Sequence, residues 1–317
     1  MDTNYDLEET SNLLICTACG TQLPTTDRIA LATCFICDDP RQYTPPSGQA
    51  FTTLAEIRTS HKNEFHPYRP GHQSASDDNV MISITTAPKF AIGQRAILII
   101  TPKGNVLWDC LTLLDEDTVK EIKELGGLSA IVISHPHYYS THVEWANAFD
   151  CPVYLAFEDK QWIARTSERQ VFLKDVEYDI PEVGGPNKTV KAIKLGGHFP
   201  GSLVLLHEDK LLIADTLMTT PSGMANWEVD ALGKPRVRPK RANTFSFMWS
   251  IPNMIPLGVD DIVRMWDILK EHDFTSTHGA FLGQDIEDGD IKARVLQSMQ
   301  IQVKAMGYGQ HLFLHLF

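Results

Sequence analysis

Residues 131–137 read Ile-Val-Ile-Ser-His-Pro-His, an apolar run that closes on a His-x-His pair. Three β-branched residues followed by Ser134 and Pro136 predict a buried strand that stops at the histidines. In an extended chain, residues i and i+2 project to the same side, so His135 and His137 are expected to offer both imidazoles to one metal ion.

Three more strand-like runs end on residues of ligand type. One leads into Gly196-Gly197-His198, where the glycines let the backbone pass close to a ligand. Another, residues 211–214 (LLIA), ends at Asp215, and a third, residues 274–277 (FTST), ends at His278. A lone histidine or aspartate at a strand end is commonly a cap or a packing residue; four such ends in one stretch predict a site. Around them, β-type runs (VMISITTA, RAILIIT, GNVLWDC, PVYLAF, SLVLLHED) alternate with helical ones (HVEWANAF, EDKQWIAR, VDDIVRMWDILKEHD, DIKARVLQSMQIQVKAM). The run DEDTVKEIKELGG predicts a helix with Asp117 as N-cap and Gly126 as stop. This alternation predicts α/β layers, over residues 80–310.

Ahead of them, residues 13–50 hold Cys16-x2-Cys19 and Cys34-x2-Cys37. Each C-x-x-C makes a tight knuckle with two thiolates, and two knuckles complete a closed tetrahedral Zn²⁺ shell, hence a structural ion. So short a segment draws most of its stability from the metal. A short helix is expected within TTLAEIRTSHKNEF, and the polar stretch 67–79 is the expected domain boundary. Cys110 and Cys151, at strand ends, are expected to be packed rather than reactive.

The pieces GNVLWDC, VISHPHYYSTHVEW, GGHFPGS, LLIAD and SFMWSIPN resemble the metallo-β-lactamase superfamily, in particular a subgroup with an N-terminal zinc-ribbon-like segment. The resemblance implies a four-layer αβ/βα sandwich with its metal site at one edge of the two sheets. It places His135, His137 and His198 in the first metal site and Asp215 at the carboxylate that normally bridges two metals. His278 falls at the late second-site histidine. The family pattern H-x-H-x-D-H is broken, because Tyr139 stands in the aspartate position and Ser140 in the histidine position. His142 lies two residues late. A single ion is therefore expected, Zn²⁺ with Fe²⁺ as the alternative.

Three histidines and a carboxylate leave room for water on such an ion, which suits hydrolysis of an amide, lactam, ester or thioester of a small molecule. Asp215 is the expected proton acceptor. Tyr139 is expected to face the reacting atoms as a hydrogen-bond donor, with Tyr138, His142 and His278 as alternates. Two other readings stay open: a mononuclear iron oxidase with His135, His198 and Asp215 as a two-histidine, one-carboxylate triad, and a degenerate domain that binds without catalysis. Trp145, Phe199, Trp227, Phe247 and Trp249 are candidates for an apolar wall, and the long insert 218–258 for a lid.

The 317 residues are 43% hydrophobic and 21% charged, with a net charge of −12, which suits one large globular core plus a minor unit. That acidity disfavours nucleic acid as a partner; the basic run 234–241 (KPRVRPKR) reads as a solvated loop. The acidic start MDTNYDLEET is unlike a signal peptide and no apolar run is of membrane-spanning length. Paired C-x-x-C motifs suit a reducing compartment, so a cytoplasmic protein without membrane partners is expected.

Overall fold

In the computed structural model, residues 8–68, 81–181, 183, 189–239 and 242–316 are described; most of the expected boundary 67–79 lies outside them. Strand β1 (Leu14–Cys16) pairs antiparallel with β2 (Phe51–Thr53), closing the cysteine segment on itself. Helix α1 (Leu54–Arg58) follows, with Thr53 capping the Glu56 N–H. The helix is shorter than TTLAEIRTSHKNEF suggested. The last four residues of that run begin strand β3 (Lys62–Pro67), which pairs with β4 (Met81–Ala87) over six residue pairs. Ladder hydrogen bonds with a long neighbour outweigh a helix of so few residues.

The first sheet continues through β5 (Ala96–Ile99), β6 (Val106–Trp108), β7 (Ala130–Val132), β8 (Val153–Ala156) and β9 (Gln170–Leu173), in the order β3-β4-β5-β6-β7-β8-β9. It is antiparallel up to β6 and parallel beyond. Helices α2 (Glu116–Glu124) and α3 (His142–Phe149) make the crossovers of its parallel half. The α2 cap is Asp115, two residues before the expected Asp117: its carboxylate accepts from Thr118 N at 2.8 Å, while Asp117 lies in the first turn, where a carboxylate also suits the helix dipole. The expected helix near EDKQWIAR is a 3₁₀ stretch, Phe157–Trp162.

The second sheet holds β10 (Glu177–Asp179), β11 (Val190–Lys194), β12 (Leu203–His207) and β13 (Lys210–Leu212). The insert then forms two small hairpins, β14 (Met218–Thr219) with β15 (Phe245–Ser246) and β16 (Met248–Ser250) with β17 (Ile255–Pro256). Helix α4 (Val259–Leu269) leads to β18 (Ser276–His278), parallel to β13; β19 (Asp285–Glu287) closes the edge before α5 (Ile291–Ala305).

Alternation along the second sheet fixes the layers. Ala192, Leu203, Leu205 and Leu212 join the core of the first sheet, whereas Ile193, Val204, Leu211 and Ile213 pack with Ile262 and Met265 of α4 and Val295 and Met299 of α5. Successive strand residues face opposite sides, so each strand serves two cores. Ile122 of α2 and Trp145 of α3 add to the first sheet's core. The result is the expected helix–sheet–sheet–helix sandwich. No helix among the described residues is long and apolar enough to cross a membrane.

Candidate metal centre

Strand β7 stops at Val132, and Pro136–Tyr138 is a 3₁₀ turn. His135 is still extended (φ −167°, ψ 169°), while Pro136 starts the turn. Proline cannot donate to a ladder and presets a turn φ. His135 and His137 therefore converge because the chain turns, not by the strand alternation expected from sequence. Asp109, after β6, anchors the entry: its Oδ1 accepts from Ser134 N at 2.8 Å. His198 follows Gly197, whose φ is +92° and where a Cβ would fall 2.5 Å from Thr216 Oγ1. No other residue fits there without displacing Thr216. Asp215 follows β13, as expected.

These elements bring His135, His137, His198 and Asp215 into one buried group, with ligand-type atoms all within 4.8 Å of one another. His198 Nε2 lies 3.2 Å from His137 Nδ1. Asp215 Oδ2 lies 3.4 Å from His135 Nε2 and 3.7 Å from His198 Nε2. A tetrahedron with bonds of about 2.0–2.1 Å has edges of about 3.3–3.4 Å, so the spacing suits one N/O-ligated ion. His135 Nε2 is buried with no hydrogen-bond partner among the described residues, as a nitrogen aimed at a metal would be.

The outer contacts orient each of these side chains. His198 Nδ1 lies 2.8 Å from the Trp249 carbonyl oxygen, which makes it the donor and leaves the Nε2 lone pair to the centre. His135 Nδ1 meets Ser134 Oγ at 2.9 Å. The Tyr138 hydroxyl donates to Asp215 Oδ1 at 2.8 Å, leaving Oδ2 toward the histidines. Burial, reinforced by the neighbouring imidazoles, pushes His137 well below the ordinary histidine range and His198 down to about 4, so both are neutral at pH 7. Burial opposes the Asp215 charge, but His135 foremost, then His198 and His137, outweighs it and holds the carboxyl well below the usual range.

The other expected residues lie elsewhere. The Tyr139 ring packs on His142, 5.7 Å between centroids, and its hydroxyl is buried without a hydrogen-bond partner among the described residues. The tyrosine that touches the cluster is Tyr138. His142 is engaged by the Tyr139 carbonyl (2.8 Å) and Gln170 Nε2 (2.7 Å). His278 is engaged by Ser276 Oγ (3.0 Å) and Asp285 Oδ1 (2.9 Å). Neither belongs to the cluster, because each ring already spends both nitrogens on protein partners. Of the candidate aromatics, Phe199 packs against His135, His137 and His198 and Trp249 supplies the carbonyl above, whereas Trp145 and Phe247 are core. Trp227 stacks under Arg236, away from these rings. Sequence reading assigned no role to Asp109, although it lies within GNVLWDC, and missed Trp162, edge-on to Phe199 at 5.6 Å, and Arg41, over the same ring, neither of which has a local motif.

The four cysteines form the second buried group among the described residues. Cys16 and Cys37 Sγ atoms are 3.6 Å apart, and those of Cys19 and Cys34 3.7 Å apart. These are not disulfide distances; a tetrahedral Zn–S₄ shell with bonds of about 2.3 Å has edges of about 3.8 Å. Cys110 and Cys151 are buried, and burial pushes the Cys151 thiol up to about 12, so it is inert as expected.

No model of a known protein family matches the chain. In sequence it is 37% identical over 275 residues to the uncharacterized protein YmaE of Bacillus subtilis (strain 168), across 84% of this chain and 88% of YmaE. The chain belongs to the YmaE family. Solved structures similar to this YmaE-family chain include a B3 metallo-β-lactamase with an active-site glutamic acid, at 14% identity and a TM-score of 0.45, covering 72% of this chain and 89% of that one. Another is the apo chemotaxis sensor ODP from T. denticola, at 16% identity and a TM-score of 0.47, covering 74% and 92%. A variant of a flavo di-iron protein from Thermotoga maritima is similar at 13% identity and a TM-score of 0.47, covering 76% and 63%. The four layers, with the histidine–aspartate cluster at the sheet edge, give the YmaE-family chain the metallo-β-lactamase fold.

Proposed function

We propose that the protein is a mononuclear metal-dependent hydrolase of a small-molecule amide, lactam, ester or thioester. The convergence of His135 Nε2, His137 Nδ1, His198 Nε2 and Asp215 Oδ2 carries this reading. Zn²⁺ held there supplies a Lewis acid and lowers the pKa of its water towards ~7. His137 and His198 present lone pairs at neutral pH, since burial holds both neutral. With the ion on the three histidines, Asp215 Oδ2 would be left to hold and orient the water by a hydrogen bond, while Oδ1 stays with Tyr138. Burial and the Asp215 charge keep the Tyr138 phenol well above its ordinary range, so it remains a neutral donor. Tyr138, rather than Tyr139, is the polar partner in this reading.

Two features support a single ion. Tyr139 and Ser140 occupy the positions of two second-metal ligands in the family pattern, and no further group of three histidine, cysteine or carboxylate side chains stands beside the cluster among the described residues. His137 within the ligand set also supports three-histidine zinc over a two-histidine iron triad.

The test is metal analysis of the purified protein joined to turnover of chromogenic lactam, ester and thioester substrates. Two zinc ions per chain, one lost in His135→Ala together with hydrolysis, is the expected result. Iron in the histidine site with oxygen uptake and no hydrolysis would overturn it.

A further inference from the structure

The cysteine segment lies against the histidine centre, and the five residues after its last thiol reach it. Arg41 sits four residues beyond Cys37, with its side chain 11% exposed. Asp39 holds the guanidinium on two sides, at 2.7 Å from Nε and 2.8 Å from Nη2. Nη1 donates to the carbonyl oxygen of His198 at 3.3 Å. The guanidinium carbon lies 3.9 Å from the centre of the Phe199 ring, the ring that touches all three histidines. A second route passes through the β16–β17 hairpin. Asn253 Nδ2 donates to the Pro40 carbonyl at 2.8 Å and Ser250 Oγ to the Arg41 carbonyl at 3.4 Å. Trp249, in that hairpin, accepts from His198 Nδ1. The segment thus grips the backbone of one metal ligand and, through the hairpin, that ligand's outer nitrogen.

An ion in the four thiols fixes the Cys37 backbone, and with it the start of the segment that carries Asp39 and Arg41. Without the ion the segment loses that anchor, and the ordering entropy of the clamp is no longer met in advance. Groups that orient metal ligands from outside typically change metal affinity ten- to a hundredfold when removed. Resting on the reading that the histidine cluster holds a metal, we propose that Asp39 and Arg41 are positioning residues for that centre, and that metal in the cysteines raises the affinity of the histidines for theirs. Linkage makes the effect reciprocal: an ion at the histidines strengthens binding at the thiols by the same factor.

The experiment titrates Co²⁺ into full-length protein that keeps zinc in its cysteines and has been stripped at the histidines, following the d–d bands. Arg41→Ala is expected to weaken Co²⁺ binding about tenfold or more and to shift the bands, with the cysteine zinc retained and the protein still folded. Arg41→Lys should recover only part, because one ammonium cannot serve Asp39 and the His198 carbonyl in the same plane. Cys37→Ser should weaken the histidine site as well, and adding Arg41→Ala to it should cost little more, since both changes break one coupling. Wild-type affinity and spectrum in Arg41→Ala would overturn the proposal, as would fully independent effects of the two substitutions. If Cys37→Ser does not fold, the Arg41→Ala and Asp39→Asn titrations decide. Absence of hydrolysis on every substrate tried sinks the hydrolase reading and leaves this one standing, because the measurement reads metal binding.

Discussion

The Tyr138 hydroxyl donates to Asp215 Oδ1 across 2.8 Å, with both side chains buried. A carboxylate held on one oxygen presents the other in a fixed direction, here toward His135 and His198. Tyr138→Phe leaves a buried charged oxygen without its donor, at a cost of about 1–3 kcal/mol. Turnover should fall about tenfold or more while the histidine metal is retained at saturating concentration. Tyr139→Phe, removing a hydroxyl with no partner, should change turnover little. The reverse order of the two effects would return the role to Tyr139.

The cysteine group should bind one zinc per chain. Cys16→Ser is expected to lower zinc content by one ion and to expose the N-terminal segment to limited proteolysis, because the buried cluster around the thiols holds only Ile36 besides them, and Ile15 packs apart with Leu54, Ile57 and Leu113. Undiminished zinc in that variant refutes the site.

The histidines are expected to divide into ligands and non-ligands. His135→Ala and His198→Ala should each abolish metal at the histidine centre. His142→Ala and His278→Ala should leave its occupancy intact. His278→Ala should instead cost about 1–2 kcal/mol of stability through the lost bond to Asp285, although Arg95 still holds that carboxylate. Metal loss in His278→Ala, measured by elemental analysis, contradicts this division.

Acid should destabilise the fold through His142. Its Nδ1–H donates to the Tyr139 carbonyl and its Nε2 accepts from Gln170, whose amide is held by bonds to the Arg165 carbonyl and Ser167 N. Protonation would set two donors against each other, and burial pushes the folded pKa from 6.5 down to about 4. The unfolded chain takes up the proton first. The contribution to stability is therefore complete above pH 6.5 and is lost as pH falls toward 4, at about 1.4 kcal/mol per pH unit within that window. Urea unfolding from pH 7 to pH 4 should show a shallower acid limb in His142→Asn than in the wild type. Equal limbs would assign the acid sensitivity elsewhere.

The two candidate metal groups were legible in the amino-acid sequence because their residues follow apolar runs or sit in C-x-x-C knuckles, both local patterns. The sandwich was legible from alternating strands and helices. Local reading failed at Tyr139 and at the Lys62–Pro67 strand. In the first case a 3₁₀ turn replaces the expected extension, and successive side chains there point about 120° apart, so Tyr138 meets Asp215 and Tyr139 turns to His142. In the second, pairing with β4 outweighed a helical pattern.

What the sequence determined by itself is which side chains can bind metal and in which two groups, because side-chain chemistry and short spacing carry that information. Only the tertiary structure decided which histidines are left out, which tyrosine reaches the carboxylate, and that Arg41 rests on His198, 157 positions away. Contacts at that separation leave no periodicity or motif along the chain; they exist only once two sheets and a cysteine knuckle have packed together.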